Sequence, residues 1–137
     1  VASGNGKTRV AYFDTSALSK LLIQEPESAA LRAALDRWQY IVVSEIGMVE
    51  LVRSVRRADP HVEPNAYRLL RGFALVPLSR SILFRAGRLE PAALRSLDAI
   101  HLSSALALRA TDVALVTYDH RLGAAARGAG LAVESPA

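Results

Sequence analysis

Four acidic residues stand where a carboxylate could do chemistry. Asp14 directly follows the apolar run "VAYF", and Asp119 directly follows "VALVTY". Asp98 falls in the first turn of "SLDAIHLSSALAL", and Glu50 lies inside "EIGMVELVRSVRR". Hydroxyls accompany two of them: Thr15 and Ser16 come after Asp14, and Thr117 comes two residues before Asp119. Carboxylates gathered in one cleft repel, and some bind protons rather than stay charged. A divalent cation removes that conflict and, with an open coordination position, can polarise a phosphodiester and activate water. The chain has no cysteine, and His61, His101 and His120 show no zinc-type spacing. A metal here would be held by oxygens, which favours Mg²⁺ or Mn²⁺.

Each acid also has a plainer use. Asp14 and Asp119 suit the N-caps of the helices that follow them, and Asp98 suits a helix dipole behind a Ser96 cap. Glu50 reads as plainer still. At helical spacing Met48, Leu51, Val52 and Val55 form an apolar stripe, while Glu50 lines up with Arg53, Ser54 and Arg57. That is the pattern of a solvated face with charge pairs. Residue by residue, both readings stay open.

The elements that must position these residues alternate. Strand-like runs occur at "RVAYFD", "YIVVS", "FALVPL", "VALVTYD" and "LAVES", with helical patterns between them. Such alternation predicts an α/β domain whose mainly parallel sheet is covered on both faces. Ligands of open parallel sheets bind beyond the C-terminal ends of the strands, where Asp14 and Asp119 stand. "ADPHVEPN" is the strong break: Asp59-Pro60 stops one helix, and Pro64 suits the first turn of the next. The two helices around it form a hairpin, a lid or a dimer arm. "GAAARGAG" lacks the Gly-Lys-Ser/Thr ending of a phosphate loop and reads as a small-residue helix with a glycine cap. His101, one turn after Asp98, reads as a packed, hydrogen-bonded histidine. Trp38 and Tyr40 flank the second strand and belong to the core or a dimer surface.

The totals bound the class. The 137 residues fit one domain with a real core, residues 1–8 being expected as a flexible N-terminal segment. With 51% hydrophobic and 22% charged residues, the chain is globular rather than disordered. No apolar run reaches the roughly 20 residues that cross a bilayer, and "VASGNGKTR" has no apolar segment of the signal-peptide kind. The expectation is a cytoplasmic protein with no membrane partner. The net charge is +4, with 17 basic residues against 13 acidic. Affinity for a polyanion and the coding bias of a GC-rich genome account for that equally well.

"YFDTSALSKLL", "VVSEIGMVELVRSVRR", "SLDAIHLSSALAL" and "LVTYDHRLGAAARGAGLAV" resemble, in this order, the acidic motifs of PIN-domain ribonucleases. The likeness is greatest to the VapC toxins of bacterial toxin–antitoxin pairs. It runs from about Val10 to Val133, and four motifs in order are far more specific than any one. The resemblance implies an α/β/α sandwich around a mainly parallel five-stranded sheet. It implies a Mg²⁺- or Mn²⁺-dependent endoribonuclease, usually a homodimer, held inactive by a cognate VapB-type antitoxin. By its motifs Asp14, Glu50, Asp98 and Asp119 are metal-holding catalytic acids, which takes Glu50 off the solvated face. Ser16 and Thr117, with Thr15 beside them, match accessory polar positions. Glu45 stands too early to serve in place of Glu50.

The expected reaction is hydrolysis of an RNA phosphodiester that leaves a 5′-phosphate and a 3′-hydroxyl. Arg121 beside the acids, and Arg53, Arg56 and Arg57 on the "VRSVRR" helix, are candidates for drawing in the RNA backbone. A receiver domain would need an acidic pair and a late lysine, yet both lysines, Lys7 and Lys20, come early. A haloacid-dehalogenase-type phosphatase would want an aspartate where Ser16 stands. The alternative that remains is a catalytically silent PIN-like module that binds RNA or a protein.

Overall fold

The computed structural model describes residues 9–137, so the expected N-terminal segment lies outside the described residues. Among them, the strands are β1 (Arg9–Phe13), β2 (Tyr40–Ser44), β3 (Ala74–Val76), β4 (Asp112–Val116) and β5 (Ala132–Glu134). The helices are α1 (Thr15–Lys20), α2 (Ser28–Ala34), α3 (Glu45–Ala58), α4 (Glu63–Arg71), α5 (Arg80–Arg88), α6 (Ser96–Leu106) and α7 (His120–Gly128). The sheet order is β3-β2-β1-β4-β5, and every neighbouring pair is parallel. The expected mainly parallel sheet is thus wholly parallel.

β1 shows how the sequence builds the layers. A central parallel strand is buried on both faces, so it reads as a continuous apolar run. Successive side chains then serve opposite cores. Ala11 and Phe13 join Val43 of β2 and Val116 of β4 in the core under α1 to α4. Val10 and Tyr12 join Val42 and Leu115 in the core under α5 to α7. Full burial of side chains such as Phe13 and Leu115 stabilises by roughly 1.5–3 kcal/mol each. Trp38 packs edge-on to Phe13 at 5.5 Å, whereas Tyr40 is exposed.

Several local expectations change. On α3 the buried stripe is Gly47, Leu51 and Val55, with Val52 beside it; Met48 is 37% exposed. The buried face is thus set one residue off the expected stripe, with Gly47 beside the Leu18 and His101 side chains. Ser96 does not cap α6: the cap position is Arg95, which makes no capping side-chain bond, and Ser96 is already helical. The α3–α4 hairpin is no free lid, since Ala66 and Leu70 of α4 share the core of Leu51 and Val55. Asp59 ends α3 and accepts from the His61 amide at 3.1 Å, and Pro64 sits in the first turn of α4.

α7 ends in a closed glycine motif. Gly130 has φ +88°, the Gly130 amide donates to Arg127 O, and the Leu131 amide donates to Ala126 O at 3.0 Å. This paired closure satisfies the last carbonyls of the helix and turns the chain into β5.

Candidate active site

Strand order decides where a site can lie. From β1 the chain passes to β2 on one side, while β4 later inserts on the other. The crevice beyond such a switch point is where open parallel sheets bind ligands. Asp14 leaves β1 there and Asp119 follows β4 there, and the Asp14 amide donates to Val116 O across the two strand ends.

Asp14 serves as a cap and as part of a polar cluster at once. Its Oδ1 accepts from the Ala17 amide at 3.0 Å, capping α1, and from the Ser16 hydroxyl at 2.7 Å. Its Oδ2 accepts from the Thr117 hydroxyl at 2.6 Å. Asp14 is only 4% exposed. Burial raises its carboxyl above the ordinary value, and the Thr117, Ser16 and Ala17 donors pull the other way.

Thr117 is the hinge between two acids. It donates to Asp14, and its oxygen accepts from the Asp119 amide at 3.0 Å. The Ser16 hydroxyl in turn accepts from the Tyr118 amide at 3.0 Å. Asp119 caps α7 through Oδ1, which accepts from the Leu122 amide at 2.9 Å. Its Oδ2 has no hydrogen-bond partner among the described residues.

Glu50 turns inward from α3. Its Oε1 accepts from the Thr15 hydroxyl and pairs with His101 Nε2, both at 2.6 Å. Thr15 is Asp14's neighbour, and His101 lies one turn beyond Asp98, so Glu50 is held between them. Burial works to raise its carboxyl, but the His101 and Thr15 hydrogen bonds prevail and lower it. The solvated face that helical spacing suggested is therefore wrong for Glu50. Arg53 and Arg57 do stand exposed farther along α3, and Arg56 pairs with Glu63 at 3.5 Å. Glu45 faces elsewhere and accepts from the Leu78 amide at 2.8 Å.

Asp98 closes the group. Burial raises its carboxyl, and the charges of Asp119, Asp14 and Glu50 push the same way. The other three acids thus act on Asp98 electrostatically, with His101 pulling the other way. Beside it a depression of about 360 Å³ is lined by Arg95, Asp98, Tyr118, Asp119, His120 and Arg121. Arg53 and Arg57 do not line it. Arg95 was missed in the sequence, where its place just ahead of the Asp98 turn was the available signal.

The donor set suits a hard cation. It consists mainly of carboxylate and hydroxyl oxygens: both nitrogens of His101 are engaged, Nε2 by Glu50 and Nδ1 by the Tyr12 hydroxyl, and His120 is the one imidazole that lines the depression. Among the described residues no three acids or histidines are grouped so that they could hold a metal ion. A cation that keeps several waters and takes only one or two carboxylates directly, as Mg²⁺ does, needs no such group. Among the described residues no helix is long and apolar enough to cross a membrane.

A family model for the PIN domain matches residues 11–128. A relative from Mycobacterium tuberculosis named ribonuclease VapC47 is 43% identical over 130 residues, covering 91% of this chain and 96% of that protein. A second from the same species, ribonuclease VapC46, is 38% identical with the same coverage. A toxin–antitoxin complex from Klebsiella pneumoniae superimposes with TM-score 0.73 at 26% identity, over 93% of this chain and 98% of that one.

Proposed function

The chain belongs to the PIN domain family, and on that premise we propose that it is a Mg²⁺- or Mn²⁺-dependent endoribonuclease, the toxin of a toxin–antitoxin pair. Relatives named ribonuclease at 38–43% identity support the activity, and the likeness to a toxin–antitoxin complex supports a cognate VapB-type antitoxin. Its place of action is the cytoplasm, where such an antitoxin and RNA meet it, and its working form is a homodimer. The observation that supports the reading is the hydrogen-bond linkage at the β1–β4 switch point: Thr117 joins Asp14 to Asp119, Thr15 beside Asp14 holds Glu50, and Asp98 lines the same depression as Asp119.

Asp14, Glu50, Asp98 and Asp119 would hold the cation, directly or through waters. When bound, it supplies Lewis-acid activation of the phosphodiester and of the attacking water. Ser16 and Thr117 hold Asp14 fixed, so its carboxylate is already oriented before substrate arrives. Glu50 Oε2 and Asp119 Oδ2, which carry no hydrogen bond among the described residues, are free to take a proton from water. Arg121 and Arg95 border the acids and attract phosphates, and an exposed single-stranded loop is the RNA form whose backbone can reach them.

The test compares RNA ends after brief expression of this chain and of Asp14→Asn. New 5′-phosphate ends should accumulate at defined positions only with the unaltered chain. Identical end maps would end the proposal.

A further inference from the structure

Glu50 does not stand alone on its helix; a buried chain of hydrogen bonds runs behind it. His101, 2% exposed, meets Glu50 Oε1 through Nε2 at 2.6 Å and the Tyr12 hydroxyl through Nδ1 at 2.7 Å. The Tyr12 and His101 rings also pack edge to face, with centroids 5.8 Å apart. An ionised carboxylate only accepts, so Nε2 carries the proton it shares with Glu50. In the neutral ring Nδ1 is then the acceptor, and the phenol donates to it. Tyr12 is fully buried in the central strand, so the far end of the chain is anchored in the middle of the sheet.

We propose that Tyr12 and His101 are positioning residues that hold Glu50 in the acidic site, with Oε1 tied down and Oε2 presented to the cleft. Thr15 donates to that same Oε1 and reinforces the choice of oxygen. Neither Tyr12 nor His101 touches the substrate. The inference rests on Glu50 being a working member of the site, and it extends that reading by naming what orients it. Groups that orient the ligands of a metal change its affinity by roughly 10–100-fold when removed.

Two measurements test it. In long-range proton–nitrogen spectra of the metal-free protein, His101 should show a persistent proton on Nε2, lost or averaged in Tyr12→Phe. An unprotonated Nε2, or the same persistence in Tyr12→Phe, overturns the relay whether or not the protein is a nuclease. Calorimetric Mn²⁺ titration then compares His101→Leu with His101→Gln, whose side-chain amide can still donate to Glu50. The Leu variant should bind Mn²⁺ at least about tenfold more weakly, the Gln variant should recover most of the loss, and metal-free RNA binding should not follow either. A folded His101→Leu with unaltered Mn²⁺ affinity overturns the positioning role. Should that variant not fold, equal losses in His101→Gln and Tyr12→Phe overturn it, because the Gln variant keeps the donor. A wild-type chain with the expected spectrum that neither binds Mn²⁺ nor cleaves RNA would sink the nuclease reading alone.

Discussion

The hydroxyl of Thr117 donates to Asp14 Oδ2 at 2.6 Å across a separation of 103 residues. The same oxygen accepts the Asp119 amide, so one side chain, 1% exposed, sets two acids against each other. Thr117→Val should therefore leave a buried acceptor and a half-buried amide without partners. Unfolding in urea should show a loss of about 1–3 kcal/mol, with Thr117→Ser close to wild type. Equal stability of the Val and Ser variants would contradict the role given to the hydroxyl.

Asp14 and Glu50 should respond to pH in opposite senses in metal-free buffer. Asp14 is raised above 3.8 in the fold, so the native state binds the extra proton. Its charged form works against folding above the raised value, and that disadvantage fades as pH falls toward 3.8. Glu50 is lowered below 4.5, so it contributes stability above 4.5 that is lost as pH falls through its folded value. Asp14→Asn, which keeps a capping oxygen, should gain stability over wild type more at pH 8 than at pH 4. Glu50→Gln should lose stability at pH 8 and lose less at pH 4. Thermal melts across that range read both, and parallel curves for the two variants would refute the assignment.

Removal of divalent metal should stop cleavage. Activity in excess EDTA should be absent and should return with Mg²⁺ or Mn²⁺. Each ion should also raise the melting temperature of wild type more than that of Asp14→Asn, because a ligand that binds only the native state stabilises it. Full cleavage in EDTA would contradict the mechanism.

Arg121→Ala should weaken binding of single-stranded RNA. Removal of one phosphate contact should reduce the slope of log affinity against log salt by about 0.7. Fluorescence anisotropy at several salt concentrations, with EDTA present to prevent cleavage, measures it. Arg57→Ala, outside the depression beside Asp98 and Asp119, should leave the slope unchanged. Equal slopes for wild type and Arg121→Ala would remove Arg121 from the RNA path.

The order of strands and helices was legible because apolar runs and helical periods are local signals. Asp14 and Asp119 were legible as strand-end acids for the same reason. Glu50 was not legible from its own helix. Helical spacing ranks residues by hydrophobicity, and a half-buried carboxylate beside Arg53 and Arg57 looks like any solvated charge. Its partners come from α1 and α6, 35 and 51 residues away, and only the folded chain brings them near. Resemblance to the family motif supplied what periodicity lacked. Ser96 failed as a cap for a related reason: serine suits both the cap and the first turn, and backbone entry at Arg95 decided between them. Tyr12 stayed hidden as an aromatic in an apolar strand, although a hydroxyl with no exposure needs a partner somewhere.

Strand order also bears on when the candidate site can form. The slot beside β1 is filled by β4, which the ribosome delivers only after β2, β3 and six helices. A nascent chain that stops short of β4 has Asp14 and Glu50 but lacks Thr117 and Asp119. Without β4 the Asp14 carboxylate loses its Thr117 donor and the group loses Asp119, so the full arrangement can form only after β4 has joined the sheet.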